Sequence, residues 1–132
     1  MISLIPFVII LITECLKVIV QSFKQKRFTP AWFFHSGGMP SGHSAFTSSL
    51  TTLVGYTEGI ESTSFLLAFS FMIIVIYDAR GVRASVGKHA EILNHMNKEK
   101  KFEESIGHTN WEVIVGLCTG SSITSLLLWM MQ

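Results

Sequence analysis

The 132 residues predict an all-α, polytopic membrane bundle of four spans, with an amphipathic interfacial helix in the second cytoplasmic loop. Three observations lead there. Hydrophobic residues make up 48% of the chain and charged ones 14%, with a mean hydropathy of +0.45, a balance suited to an outer surface that meets lipid. Several apolar runs approach the length a helix needs to cross the hydrocarbon. One topology also collects every Lys and Arg, 10 in all, on a single side of the bilayer.

The elements follow in order. Residues 2–20 would extend about 28 Å as a helix. They lack the basic start and small-residue cleavage pattern of a signal peptide, so a retained span is expected. Residues 43–57, "HSAFTSSLTTLVGYT", are short and rich in Ser and Thr, so they either cross while shielded by other helices or dip in and return. Residues 62–79 and 110–131 are two further spans of adequate length. With four crossings, the tip "EGIE" (58–61) carries only acids. The opposite side then receives Lys17, Lys24, Lys26, Arg27, Arg80, Arg83, Lys88, Lys98, Lys100 and Lys101. Three crossings would split that set, so both termini are expected outside and both basic loops in the cytoplasm. In the second loop, Val82, Val86, Ala90 and Leu93 fall on one helical stripe, with Lys88, Glu91 and Asn94 off it. Such a helix would lie along the membrane surface. The length suits one domain, residues 1–132. Cys15 and Cys118 sit in apolar runs without metal-type spacing, and a net charge of +1 carries no nucleic-acid signature.

Three constellations carry chemistry. "PSGHS" (40–44) opens the second helix on the basic side, where unpaired amides and the helix dipole favour an anion. Gly42 allows close approach, Ser41 can cap or donate, and His43 can hand over a proton. Equally, Ser41 can simply cap the helix. In "GHTNWEVIVGLCTG" (107–120), His108 precedes the last helix and Glu112 stands about one turn on, close enough to hold one imidazole nitrogen and leave the other reactive. Thr109 with Glu112 also fits a capping box, and Gly116, Gly120 and Thr124 form a small-residue face of the kind used for close helix packing. In "YDARGVRASVGKHAEILN" (77–94), Arg80 and Arg83 leave the membrane on the side of His43 and His108, either as a topology signal or to hold phosphate with their planar forks. Glu14 and Lys17, three apart in the first span, read as a pair, and the scarcity of other ionisable groups there argues against a transporter.

"PSGH", a following arginine and "GHxxxEVxxGxxxG" resemble the second and third signature segments of the type 2 phosphatidate phosphatases, whose superfamily includes bacterial acid phosphatases and vanadium haloperoxidases. "GGMPSGHSA", "YDARGVR", "GKHAEILN" and "IGHTNWEVIVG" together resemble, over about residues 1–130, the small divergent branch of that superfamily in bacteria and plants. The resemblance implies a phosphomonoesterase that uses no metal or cofactor. His108 would attack phosphorus and become a phosphohistidine, with Glu112 orienting it. His43 would protonate the leaving oxygen, while Lys24, Arg83, Ser41 and the Gly42 amide would hold the phosphoryl oxygens. The implied substrate is a phosphorylated lipid or isoprenoid drawn from the bilayer, and the small number of spans leaves a homodimer open.

Three departures from the family pattern stand out. Glu112 replaces the usual Asp. Arg83 precedes His108 by 25 positions, far more than the family's ordinary separation, which His89 would satisfy, although Leu93 then stands where a carboxylate is needed. "KQKRFTP" (24–30) keeps the first signature segment poorly, leaving Lys24, Lys26 and Arg27 as alternatives for one role. The rival class is a membrane protein that binds a phosphorylated headgroup or a partner in the same pocket without turnover.

Overall fold

The computed structural model describes residues 2–35, 37–97 and 101–131, and every regular element among them is helical. Lys98 and Lys100 of the expected cytoplasmic set lie outside the described residues. A 3-10 turn, Ile2–Leu4, leads into α1 (Ile5–Gln25), with Pro6 in the first turn, where a missing amide hydrogen is harmless. α1 stops where Lys26 turns left-handed, φ 50°, and the amides of Lys26 and Arg27 donate to the carbonyls of Phe23 and Ser22 at 3.3 and 3.1 Å. A second 3-10 turn, Pro30–Phe34, is followed by α2 (Gly42–Glu58), α3 (Thr63–Arg80), α4 (Val82–Asn97) and α5 (Asn110–Met130). Ser41 and Ser62 cap α2 and α3, each Oγ accepting from an amide three residues on, at 3.4 and 3.1 Å. Helices therefore occupy all four expected segments, the first running on to Gln25.

Three stretches, Ile2–Gln25, Thr63–Asn97 and Asn110–Met130, are long and apolar enough to cross a membrane. α3 shows the physical reason. It is apolar on all sides, buries only Ala68 and Ala79, and leaves Leu66, Leu67 and Ile74 62–66% exposed. A helix of that kind is at home among lipid tails. α2, 17 residues long, has the opposite character. It packs against α1, α3 and α5, and its buried face is mostly hydroxyl-bearing: Ser44, Thr47, Ser48, Ser49 and Thr51. Those hydroxyls are all partnered. Thr47 and Thr51 donate to the carbonyls one turn back at 2.9 Å, Ser48 Oγ donates to Leu117 O at 3.1 Å, and Ser49 Oγ lies 2.6 Å from Thr124 Oγ1.

That intimacy requires the glycines of α5. A Cβ on Gly116 would stand 2.5 Å from Ser41 O, and one on Gly120 would overlap Ala45 O and Ser48 Oγ. The small-residue face thus serves helix packing, as its spacing suggested. Ile5, Ile9, Ala45, Leu53 and Leu128 form the apolar core, with Ile123 and Leu127 against it. These residues come mainly from the start of α1 and the ends of α2 and α5, so the opposite end of the bundle is free to be polar.

α4 is present in the second loop, and the side it packs on the protein lies largely apart from its apolar stripe. Its buried residues are Gly87, Ala90 and Asn94, whereas Val82, Val86 and Leu93 are exposed. The cause is the returning chain. Residues 101–108 lie along α4, with Glu104 O and Ile106 O so close to Gly87 that a Cβ there would sit 2.7 Å from each. Asn94 clasps the same segment: its Nδ2 donates to Phe102 O and Glu104 Oε1 at 2.8 Å, and its Oδ1 accepts from the amides of Lys101 and Phe102 at 3.0 Å.

Candidate functional site

At the polar end of the bundle the last turn of α3 and the first turns of α2 and α5 meet beside Glu14 and Lys17 of α1. Backbone hydrogen bonds join α2, α3 and α5 there. The Ser41 amide donates to Glu112 O and the His108 amide to Ala79 O, each at 3.1 Å. Ser41 itself is fully enclosed, its Oγ accepting from the Ser44 hydroxyl at 3.0 Å.

His108 stands just before α5 with its side chain 1% exposed. Its Nδ1 lies 3.2 Å from Glu112 Oε2, and because a carboxylate only accepts, Nδ1 carries a proton, which in the neutral tautomer leaves the lone pair on Nε2. Oε2 also accepts from the Thr109 amide at 3.0 Å while Thr109 Oγ1 accepts from the Glu112 amide at 3.3 Å. Helix capping and imidazole orientation are therefore one arrangement, where the sequence offered them as alternatives. Nε2 makes no hydrogen bond among the described residues, and no sealed side-chain nitrogen or oxygen there lacks a partner, so Nε2 keeps a line to solvent.

His43, in the first turn of α2, is exposed at the mouth of the same region. It lies within electrostatic reach of Arg83, His108 and Lys17, and of Asp78 with the opposite sign. The long gap between Arg83 and His108 closes in space. α4 carries the chain out, the 101–108 segment brings it back, and Gly107 (φ 101°) packs so tightly on the Arg83–Ala84 peptide that a Cβ would sit 2.6 Å from Ala84 N. Arg83 Nε donates to Asp78 Oδ2 at 2.5 Å, an ion pair between the end of α3 and the start of α4. His89 is exposed on α4.

For the first-signature role, the structure adds Lys17, which sequence reasoning read only as a partner of Glu14, to the expected Lys24. Lys24 is exposed, within electrostatic reach of Glu112. Lys17 is a buried cation, and its Nζ donates to Glu14 Oε2 at 2.6 Å and to His35 O at 3.1 Å. Glu14 Oε1 presses on Gly42, which has room for no Cβ at that point. The Glu14–Lys17 pair thus belongs to the polar end of the bundle as well as to α1. The signal was periodic: Ile5, Ile9, Thr13, Lys17 and Gln21 form one buried stripe that turns from apolar to polar at this end. Asp78 had a similar signal in its place beside Arg80 and Arg83 at the membrane exit. Further out, His35 Nδ1 stands 3.7 Å from Glu103 Oε2, and the Ser105 hydroxyl, donating to that carboxyl, holds it below its ordinary pKa and so charged.

The sequence pattern described as the divergent PAP2 family matches residues 2–123. A relative in Bacillus subtilis, described as the uncharacterized membrane protein YuiD, is 30% identical over 138 residues, covering 89% of this chain and 87% of its own. No solved structure matches the chain. With three helices of spanning length and a membrane protein as relative, the chain is an integral membrane protein.

Proposed function

Because the chain belongs to the divergent PAP2 family, we propose that it is a membrane-embedded phosphatase that hydrolyses a lipid or isoprenoid phosphate through a phosphohistidine on His108. One observation carries the reading: His108 is held by Glu112 through Nδ1, with Nε2 unpaired, in a region shared with His43 and Arg83. Nε2 attacks phosphorus as the bond to the leaving oxygen breaks, and protonated His43 gives that oxygen its proton. Water then attacks the phosphohistidine, giving its proton to His43, and inorganic phosphate leaves as His108 is restored. Arg83, Lys17 and Lys24, with the Gly42 amide and Ser41, are the groups proposed to offset the phosphoryl charge. For the phosphate to take Arg83 and Lys17, Asp78 and Glu14 must yield them.

We place the site on the cytoplasmic side with α2 as a fourth crossing and both termini outside. α2 is short and polar, but the hydroxyls of its buried face, Ser44, Thr47, Ser48, Ser49 and Thr51, are partnered inside the bundle, the condition under which such a segment is tolerated in lipid. A substrate phosphate that reaches Lys17, about 12 Å inside the cytoplasmic end of α1, could react while its tail stays in the bilayer.

Purified protein in detergent is expected to release inorganic phosphate from phosphatidate or an isoprenyl phosphate, and His108→Ala, with an unchanged melting temperature, is expected to release none. Full activity in that variant overturns the assignment. The deep burial of His108 and the engagement of Arg83 by Asp78 favour a second reading, binding of a phosphorylated headgroup without turnover. Binding that survives His108→Ala and fails in Arg83→Ala, with no turnover in the parent, would establish it.

A further inference from the structure

The last turn of α1 carries a feature that the site does not use. Ile19, Ser22, Phe23, Lys26, Arg27 and Phe28 line an open groove of about 450 Å³. At about 100° of rotation per residue, Ile19, Phe23 and Lys26 lie roughly opposite Lys17, Gln21 and Lys24 on the helix. The groove therefore faces away from His108 and the bundle. Its walls are exposed and apolar, with Ile19 50%, Phe23 80% and Phe28 75% exposed. The left-handed turn at Lys26 and a hydrogen bond of 3.2 Å from the Thr29 amide to Ser22 Oγ fold the following chain back to close one end. Lys26 and Arg27 stand at that end, and neither side chain has a hydrogen bond or ion pair among the described residues.

The geometry points to a binding site for an anionic phospholipid of the surrounding bilayer, and we propose that this lipid occupies the groove. Its phosphate sits between Lys26 and Arg27, and one acyl chain lies along Phe28, Phe23 and Ile19. Three facts select this occupant. The groove lies on the outward face of a helix of spanning length, so what covers it there is lipid. Ile19 to Lys26 spans about 10 Å along the axis, taking the groove from hydrocarbon depth to the headgroups. Two unpaired cations above an apolar wall complement a headgroup with net negative charge and match a zwitterionic one poorly, since its own cation opposes them. The bound lipid is not the substrate, because the α1 helix separates it from His108. The proposal stands whether or not the chain turns over a phosphate.

The test is native mass spectrometry of the full chain extracted from bilayers of equal phosphatidylglycerol and phosphatidylcholine. The parent is expected to retain phosphatidylglycerol over phosphatidylcholine by about tenfold or more, on the usual contribution of a basic residue near an anionic surface. Lys26→Gln with Arg27→Gln is expected to bring the ratio near one, while Lys88→Gln, an exposed cation on α4, leaves it unchanged. Equal retention in the parent, or a preference that persists in the double variant, overturns the proposal. Should the double variant fail to fold, each single variant is expected to lose about fivefold, and no loss in either refutes the site. Inorganic phosphate at millimolar concentration should not displace the lipid. Displacement would assign the two cations to free anions and reject the lipid.

Discussion

Glu112 Oε2 stands 3.2 Å from His108 Nδ1 and 3.0 Å from the Thr109 amide, so a single oxygen both orients the imidazole and closes the first turn of α5. The two roles separate by chemistry. Glutamine at 112 can still accept from the Thr109 amide but carries no charge to stabilise the imidazole as it becomes cationic. Glu112→Gln is therefore expected to lower phosphate release by about two orders of magnitude or more while the melting temperature moves little. If turnover and melting temperature fall together, capping is the whole of its role. At this scale the sequence was legible where geometry follows from local spacing, as with His108, Thr109 and Glu112. It was opaque where partners meet across helices. Glu14 and Lys17 could be read as a pair, but not as a pair resting on Gly42 beside the start of α2.

α4 and the segment that returns along it explain how an arginine and a histidine 25 positions apart in sequence can serve one region. Asn94 holds that return by four hydrogen bonds to Lys101, Phe102 and Glu104, and Gly87 and Gly107 let the backbones close. Asn94→Ala should cost about 2–4 kcal/mol if each bond contributes about 1 kcal/mol. It should also reduce phosphate release more than any loss of folded protein accounts for, because His108 follows the freed segment directly. Unfolding curves and specific activity measured on one preparation check both. The helix itself was readable from its stripe, but the packed side was not. Periodicity marks the apolar face, and here that face was left outward because polar Asn94 and small Gly87 and Ala90 make the closer contacts with the returning chain.

Besides α4, the molecule combines three helices suited to lipid, α1, α3 and α5, with one, α2, whose interior-facing groups are mainly polar. Composition and run length were enough to find all four, since each is bounded by Gly, Ser, Thr or Pro signals that the structure uses as caps or breaks. What run length could not decide was the place of α2, because its polarity makes sense only beside the glycines of α5. The four-crossing reading is testable directly. A reporter active only on the side away from the cytoplasm should be active when fused to either terminus and silent when inserted between α4 and α5. Opposite results at the two termini would require an odd number of crossings. The pairing of α2 with α5 also sets an order of assembly. Ser48 bonds to Leu117 O, Ser49 to Thr124, and the Ser41 amide to Glu112 O, and all three partners lie more than 65 residues later in translation. A ribosome-bound chain that has not yet made α5 holds an innermost helix with hydroxyls bare of those partners, so α2 must wait at the translocon or membrane rim until α5 arrives. The end of the bundle proposed to take phosphate, where Ser41 meets Glu112, then closes only once α5 has arrived.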